Sequence, residues 1–325
     1  MARNLFDRRV LLVTGKGGVG KTTVATALAL AARERGLRVM LVQLGNVDNV
    51  GPIFGRPLAP YEIVELEAGL FTLRIEPYLA LHEYLLGAIK VRMVVDWFLE
   101  NRIIQYLTQA APGWRELITV GKIWHLEQMT VGYQQRPKYD LIVVDAPATG
   151  HGISFLRVPQ IILNTLRFGP IRHHTLNVRK LLLDPARTLL LGVTLPEEMA
   201  VNEVLDIHAA AKDSLQIPYG ATIVNAFTTP LADRATAPYV EQLLADTAAM
   251  NALGKALPGG KEPLLAAKET RETRHALSQH YRDLIRRRIG GSVLTVPHLA
   301  GARLDRESMA LVARSLDEQI PRGKS

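Results

Sequence analysis

Cysteine is absent from all 325 residues, which removes disulfides, thiolate metal sites and cysteine nucleophiles from consideration. Any metal would have to be held by oxygen or imidazole. Long apolar runs are missing too: no stretch approaches the ~18 uninterrupted apolar residues that a membrane helix needs. Residues 1–9 are polar and charged, and the apolar run of residues 10–13 is too short for the core of a signal peptide. With no integral membrane segment and no leader, the expected location is the cytoplasm. No repeat or low-complexity tract stands out, and Pro258-Gly259-Gly260 marks only a loop. Acidic residues are the minority, 31 against 39 Lys and Arg, for a formal charge of +8. Such an excess suits an anionic partner, nucleic acid or an acidic lipid surface, but the bases are spread along the chain. The densest group, Arg282, Arg286, Arg287 and Arg288, falls at the end of an expected helix, where cations complement the macrodipole. It reads as a solvated helix end before it reads as a binding surface.

What is present is a chain able to bury a large core, with 48% hydrophobic residues. The opening reads as a strand over residues 10–14, a glycine loop, a helix over 21–35, Gly36 as its stop and a strand over 37–44. That βαβ unit implies a parallel sheet. Further strand-like runs lie at 141–144, 189–193, 221–224 and 293–296, between helical patterns of which 200–215, 262–289 and 306–320 are the clearest. The expected fold is α/β: one doubly wound, mainly parallel sheet domain over residues 1–325. Residues 77–136 read as helices with no strand between them, a helical insertion in that domain. Within it Met93, Val94, Trp97, Phe98, Ile103, Ile104 and Leu107 recur at helical spacing. They either line a groove for an apolar helix or pack on the sheet domain, and Trp114 and Trp124 carry the same ambiguity.

The strongest chemical signal is Gly15-Lys16-Gly17-Gly18-Val19-Gly20-Lys21-Thr22, which fits G-x-x-x-x-G-K-[ST] between a strand and a helix. In such a loop the N–H groups of Gly17, Gly18, Val19 and Gly20 turn onto phosphate oxygens, and the following helix, through Thr22 and Thr23, adds its positive end. Lys21 is expected to bridge the β- and γ-phosphates, and Thr22 to give its hydroxyl to Mg²⁺. Asp145, directly after the strand at 141–144, stands where a P-loop enzyme holds magnesium through water. The reading is a nucleoside triphosphate site, for ATP with Mg²⁺.

Lys16 narrows the class. A second lysine one residue after the first glycine resembles the deviant Walker A proteins, which include MinD and ParA types, the nitrogenase iron protein and the arsenite-pump ATPases. Asp145-Ala146-Pro147-Ala148-Thr149-Gly150-His151, continuing through Leu156 to Pro159, closely resembles switch II of one branch: the ArsA/Get3-type ATPases of arsenite pumps and tail-anchored-protein targeting. Leu195-Pro196-Glu197 leading to Glu203, the strand-end Asn225, and Pro297-His298-Leu299-Ala300-Gly301 resemble further segments of that branch, so the likeness covers residues 9–319. It implies that Lys16, Lys21 and Asp145 are catalytic and that Glu203 lies near nucleotide. Asn225 would read the adenine edge, and Pro297, His298 and Leu299 would cover the base. It also implies a nucleotide-dependent dimer, with itself or with a related ATPase subunit, in which Lys16 reaches the opposite site.

Two departures stand beside the matches. The branch carries D-P-A-H after its second strand, and that aspartate activates the attacking water. Here the stretch anchored on Phe54-Gly55 reads Gly45-Asn46-Val47-Asp48, and glycine cannot polarise water. Asp48 would substitute only after a loop rearrangement, so ATP is expected to be bound but hydrolysed slowly or not at all unaided. The lack of cysteine also excludes the interfacial zinc of eukaryotic targeting ATPases and arsenite binding through thiolates. His173, His174 and His151 do not restore a metal site. The expected function is a nucleotide-switched ATPase handling a hydrophobic protein client. The alternative is a non-hydrolysing regulatory subunit paired with a competent paralogue. A ParA-like DNA-positioning role is opposed by the T-G-H segment and the large helical insertion, and the last residues lack the basic amphipathic face of a membrane tail.

Overall fold

The computed structural model describes residues 4–89, 91–100, 113–147, 154–232, 235–256, 260–299 and 304–322. A central sheet forms from β1 (Val10–Gly15), β2 (Val39–Leu44), β3 (Val64–Glu67), β4 (Leu70–Ile75), β7 (Leu141–Asp145), β8 (Thr188–Thr194), β9 (Tyr219–Phe227) and β10 (Ser292–Pro297). Its spatial order is β10-β9-β8-β1-β7-β2-β4-β3. All neighbours run parallel except the β3–β4 pair at one edge. This is the mainly parallel, doubly wound α/β sheet expected of the sequence.

Side-chain alternation decides which face each strand residue feeds. Leu11 and Val13 of β1 enter one core, with α1 (Lys21–Glu34) and α11 (Arg306–Gln319). Val10 and Leu12 enter the other, with Val120, Ile123 and Leu126 of α4 (Trp114–Gln128), Phe155 and Leu156 of α5 (Ser154–Thr165), and Val178 and Leu181 of α6 (Pro170–Leu183). Both faces are covered, so the central strands are apolar without interruption, as a parallel sheet requires.

The remaining helices are α2 (Pro77–Ile89), α3 (Arg92–Glu100), α7 (Glu198–Ala210), α8 (Ala237–Ala245), α9 (Thr247–Ala256) and α10 (Glu262–Ile289). Three expectations are revised. β3 and β4 were not anticipated; β4 extends the sheet parallel to β2 and β3 closes its edge. The stretch expected to be helical without strands ends in a two-stranded ladder, β5 (Thr130–Val131) with β6 (Arg136–Pro137). The single helix expected over 200–215 is α7 followed by a π turn, Ala211–Leu215. Ile103, Ile104 and Leu107 lie outside the described residues, as do the side chains of Val94 and Phe98.

Candidate functional site

β1 and β7 are neighbours, and their register sets Val13 beside Asp145. The glycine loop leaving β1 and the carboxylate ending β7 therefore emerge side by side at the carboxyl edge of the sheet, where open α/β sheets place their ligand crevice. α1 begins at Lys21 immediately after the loop.

The loop's glycines are needed for two different reasons. Gly20 adopts φ +85°, and a Cβ there would lie 2.1 Å from Asn225 Nδ2. At Gly15 a Cβ would lie 2.2 Å from the Val193 carbonyl oxygen, so β8 leaves no room for any side chain. Gly17 and Gly18 are exposed, and the loop faces solvent.

Lys21 is 9% exposed and donates from Nζ to the Lys16 carbonyl at 2.9 Å. Burial holds its pKa below the ordinary lysine value, with the Asp145 charge pulling the other way. Thr22 donates from its hydroxyl to Asp145 Oδ2 at 2.6 Å. Asp145 Oδ1 is buried with no hydrogen-bond partner among the described residues. Burial pushes the Asp145 carboxyl up to about 6, against the Thr22 hydrogen bond and the Lys21 charge, which both lower it. An orphaned, desolvated carboxylate oxygen beside a hydroxyl and an ammonium is a costly arrangement in isolation. A hydrated divalent cation and a phosphate are chemically suited to relieve it, so the residues fit Mg²⁺ and a nucleotide. The Lys16 ammonium makes no hydrogen bond or ion pair among the described residues.

Asn225 ends up against the loop: its Nδ2 donates to the Val19 carbonyl at 2.8 Å, so the group expected at an adenine edge braces the P-loop here. The next residue, Ala226, has φ +51°, a left-handed residue within β9 just before Phe227 resumes pairing with β10. Pro297 pairs with Phe227 across a register shift, the His298 amide donates to the Phe227 carbonyl at 3.0 Å, and Leu299 packs on the core beside α1. His298 is exposed and, with Thr228, lines a cavity of about 660 Å³ walled by Val240 and Leu244 of α8 and Leu264 of α10. Glu203 sits half-buried on α7, and among the described residues no hydrogen bond or ion pair joins it to the loop. Thr149, Gly150 and His151 lie outside the described residues.

The loop after β2 is where the sequence was expected to depart from the branch it resembles. Gly45 has nothing within 4 Å of a built Cβ and no positive φ. Asp48 does not face the phosphate cradle as a free carboxylate: Oδ1 accepts from Gly51 N at 2.9 Å and Oδ2 from Leu58 N at 2.8 Å. Sequence reasoning missed Gln43, which is buried at 3% exposure, registers beside Asp145, and accepts the amides of Asn49 and Val50 at 3.2 and 3.3 Å. Its signal was a lone polar residue within the apolar run Val39–Leu44. The far end of the loop reaches the helices, where the Tyr61 hydroxyl bonds Glu83 of α2 and Lys122 of α4 holds the same carboxylate at 2.6 Å.

On α3, Met93 and Trp97 are 78% and 67% exposed. His174 lies edge-on to the rings of Tyr84 and Trp124 at 5.2 and 5.8 Å, and the described residues contain no group of side chains arranged to hold a metal through His, Asp and Glu alone. No helix among them is long and apolar enough to cross a membrane.

Comparison with known proteins places these features in a family context. The model of the anion-transporting ATPase family matches residues 8–175. Over 223 residues the chain is 34% identical to ATPase BagA of Mycobacterium tuberculosis, covering 67% of this chain and 64% of that protein. It is 24% identical over 275 residues to ATPase GET3B of Arabidopsis thaliana, covering 69% and 65%. With an arsenical pump-driving ATPase of Escherichia coli it shares 26% identity over 218 residues, 61% of this chain and 36% of the pump protein.

Proposed function

The chain belongs to the anion-transporting (ArsA/Get3-type) ATPase family, and from that premise we propose that it is a nucleotide-switched dimeric ATPase that handles a hydrophobic protein client. The observation that carries this reading is the Thr22–Asp145 pair at the mouth of the P-loop, with Asp145 Oδ1 left unpartnered in a buried setting. In the loaded site Mg²⁺ would supply charge neutralisation at the phosphates. Lys21, Thr22 and the backbone amides of residues 17–20 would orient the triphosphate, and Asp145 would hold the water shell. Two features support a dimer: the loop is open to solvent at Gly17 and Gly18, and among the described residues the Lys16 ammonium is not engaged. A client surface is supported by exposed Met93 and Trp97. The Tyr61–Glu83–Lys122 link joins the loop after β2 to α2, which packs against the α3 that bears them.

Hydrolysis in this reading is slow unaided. Gly45 offers no carboxylate, and both oxygens of Asp48 are occupied by backbone amides, which favours the regulatory-subunit alternative wherever a competent paralogue exists. Single-turnover ATP hydrolysis by the chain, Lys21→Ala and Gly45→Asp decides between them. The expected result is nucleotide binding by the unaltered chain and Lys21-dependent turnover that rises at least ~10-fold in Gly45→Asp. Equal turnover in the unaltered chain and Gly45→Asp would show that another group positions the water. Light scattering with and without ATP, beside Lys16→Ala, tests the dimer.

A further inference from the structure

A second cavity, of about 520 Å³, lies between α5, α6 and the π turn after α7, a volume in the range of small-molecule sites. None of its lining residues belongs to the P-loop, to the β2 loop or to the candidate base loop. Its floor is apolar: Leu156 and Leu182 are buried, as is Ile217. Two arginines, Arg157 of α5 and Arg179 of α6, line the same groove. Among the described residues neither guanidinium has a carboxylate partner. Arg157 makes one hydrogen bond, to Ser214 Oγ at 3.4 Å, and Arg179 makes none. Like charges facing one concavity without a counter-ion repel each other, and a protein surface ordinarily interleaves acids among them.

The third wall strengthens the case. α7 does not end in an ordinary cap but in the π turn Ala211–Leu215, followed by Gln216 at φ +58°. Short π segments are rare and recur at functional sites, and a non-glycine residue in the left-handed region is strained. Ser214 and Gln216, both lining the groove, come from this strained stretch, and Gln160 faces them from α5. The groove thus combines an apolar floor, two unneutralised guanidiniums and a rim of neutral hydrogen-bonding side chains.

We propose that this groove is a binding site for an organic anion with an apolar body, a carboxylate or a phosphate monoester. The guanidiniums of Arg157 and Arg179 take the head group, with the bidentate geometry that suits both oxyanions. The floor formed by Leu156, Leu182 and Ile217 takes the tail. The site lies apart from the P-loop, although Leu156, Arg157 and Pro159 also belong to the segment that resembles switch II, and the proposal does not depend on the function proposed above.

Calorimetric titration of the full chain with octanoate, octyl phosphate, octanol and inorganic phosphate, all below micelle-forming concentrations, tests this. The expected result is that at least one of the two octyl anions binds, and that octanol and inorganic phosphate bind at least ~10-fold more weakly. Which of the two anions binds more tightly distinguishes carboxylate from phosphate as the head group. Arg157→Gln and Arg179→Gln should each weaken that binding at least ~10-fold, and Arg179→Lys less than Arg179→Gln. Lys21→Ala, which removes phosphate capture by the P-loop, should leave it unchanged, because no P-loop residue lines the groove. Circular dichroism identifies any variant that fails to fold, and Ile161→Asp, at an exposed position on the rim, then supplies an independent loss of tail binding. Failure of both octyl anions to bind would overturn the proposal. So would octanol binding as tightly as the anions, retention in the double arginine variant, or loss in Lys21→Ala.

Discussion

Asp48 Oδ1 accepts the backbone amide of Gly51 at 2.9 Å, and with its other oxygen on Leu58 N at 2.8 Å the carboxylate closes the loop after β2 on itself. It works here as a staple for backbone amides, a role that charge-assisted hydrogen bonds fill well. Asp48→Ala should therefore lower unfolding free energy by about 2–3 kcal/mol, since two amides lose their acceptor. Asp48→Asn, which keeps one acceptor oxygen, should cost less. Urea denaturation of the two variants checks this. Unchanged stability in Asp48→Ala together with loss of Lys21-dependent turnover would instead assign the carboxylate to the chemistry.

The contact between Asn225 and the P-loop predicts a coupled pair of effects. Gly20→Ala introduces a methyl 2.1 Å from Asn225 Nδ2 at a backbone φ of +85°. It should weaken binding of a fluorescent ATP analogue by at least ~100-fold, because the amides that face phosphate lose their arrangement. Asn225→Ala removes the donor to Val19 O and should cost less, about 1 kcal/mol of binding. In the double variant the steric part is relieved, so the two losses should fall short of adding. Strict additivity would show that Asn225 does not restrain the loop.

Much of this site was legible from residue order alone. The strand, glycine loop and helix at the start are specified locally by an apolar run, glycines and an alanine-rich, almost wholly apolar stretch. The strand ending at Asp145 is equally plain, because β-branched residues crowd it. What escaped were features decided by tertiary partners. β3 and β4 carry a period-2 pattern, but they are short and bear charged residues, and the pairing of β2 with β4 and of β4 with β3 is what fixes them as strands. The π turn at Ala211–Leu215 continues a helical pattern, so periodicity reads it as more α-helix. Asp48 was expected to serve only after a loop rearrangement, but sequence spacing does not show which amides occupy its carboxylate. Gln43 was visible as an oddity in an apolar strand, but its purpose depends on Asn49 and Val50 folding back over it.

A pH dependence follows from the joint between the sheet edge and the last helix. Glu67 accepts from Arg306, including at 3.1 Å from Nη2, and lies 3.4 Å from Arg33. The Arg306 hydrogen bond first, and then the charges of Arg306 and Arg33, hold its carboxyl below the ordinary 4.5 against the opposing effect of burial. A lowered folded value means that this contribution is fully present above the ordinary value and is lost as pH falls through the folded one. Because the pair is partly solvated, its worth is at most ~1 kcal/mol. Urea midpoints measured between about pH 5 and pH 3 should fall less steeply in Glu67→Gln than in the unaltered chain. Parallel profiles would mean that the ion pair contributes nothing measurable.

Asp145 presents the opposite sign and links stability to function. Its carboxyl is pushed up to about 6 from 3.8, chiefly by burial, so the ionised form is disfavoured in the fold. That penalty is complete above about 6, fades as pH falls toward 3.8, and is roughly 2–3 kcal/mol at pH ~8 in the ligand-free chain. Asp145→Asn removes the charge while keeping an acceptor for the Thr22 hydroxyl, and should raise the ligand-free melting temperature at that pH. With saturating ATP and Mg²⁺ the order should reverse, because the unaltered chain gains linkage stabilisation from a ligand that the variant holds poorly. Thermal unfolding of the two chains with and without ATP and Mg²⁺ reads both halves. A variant less stable in every condition would mean that the Thr22–Asp145 contact is structural support, and the charge would then have to be explained without a cation. A crossing of the two curves would mean that the fold tolerates a destabilising carboxylate at the end of β7 because a bound cation needs it there.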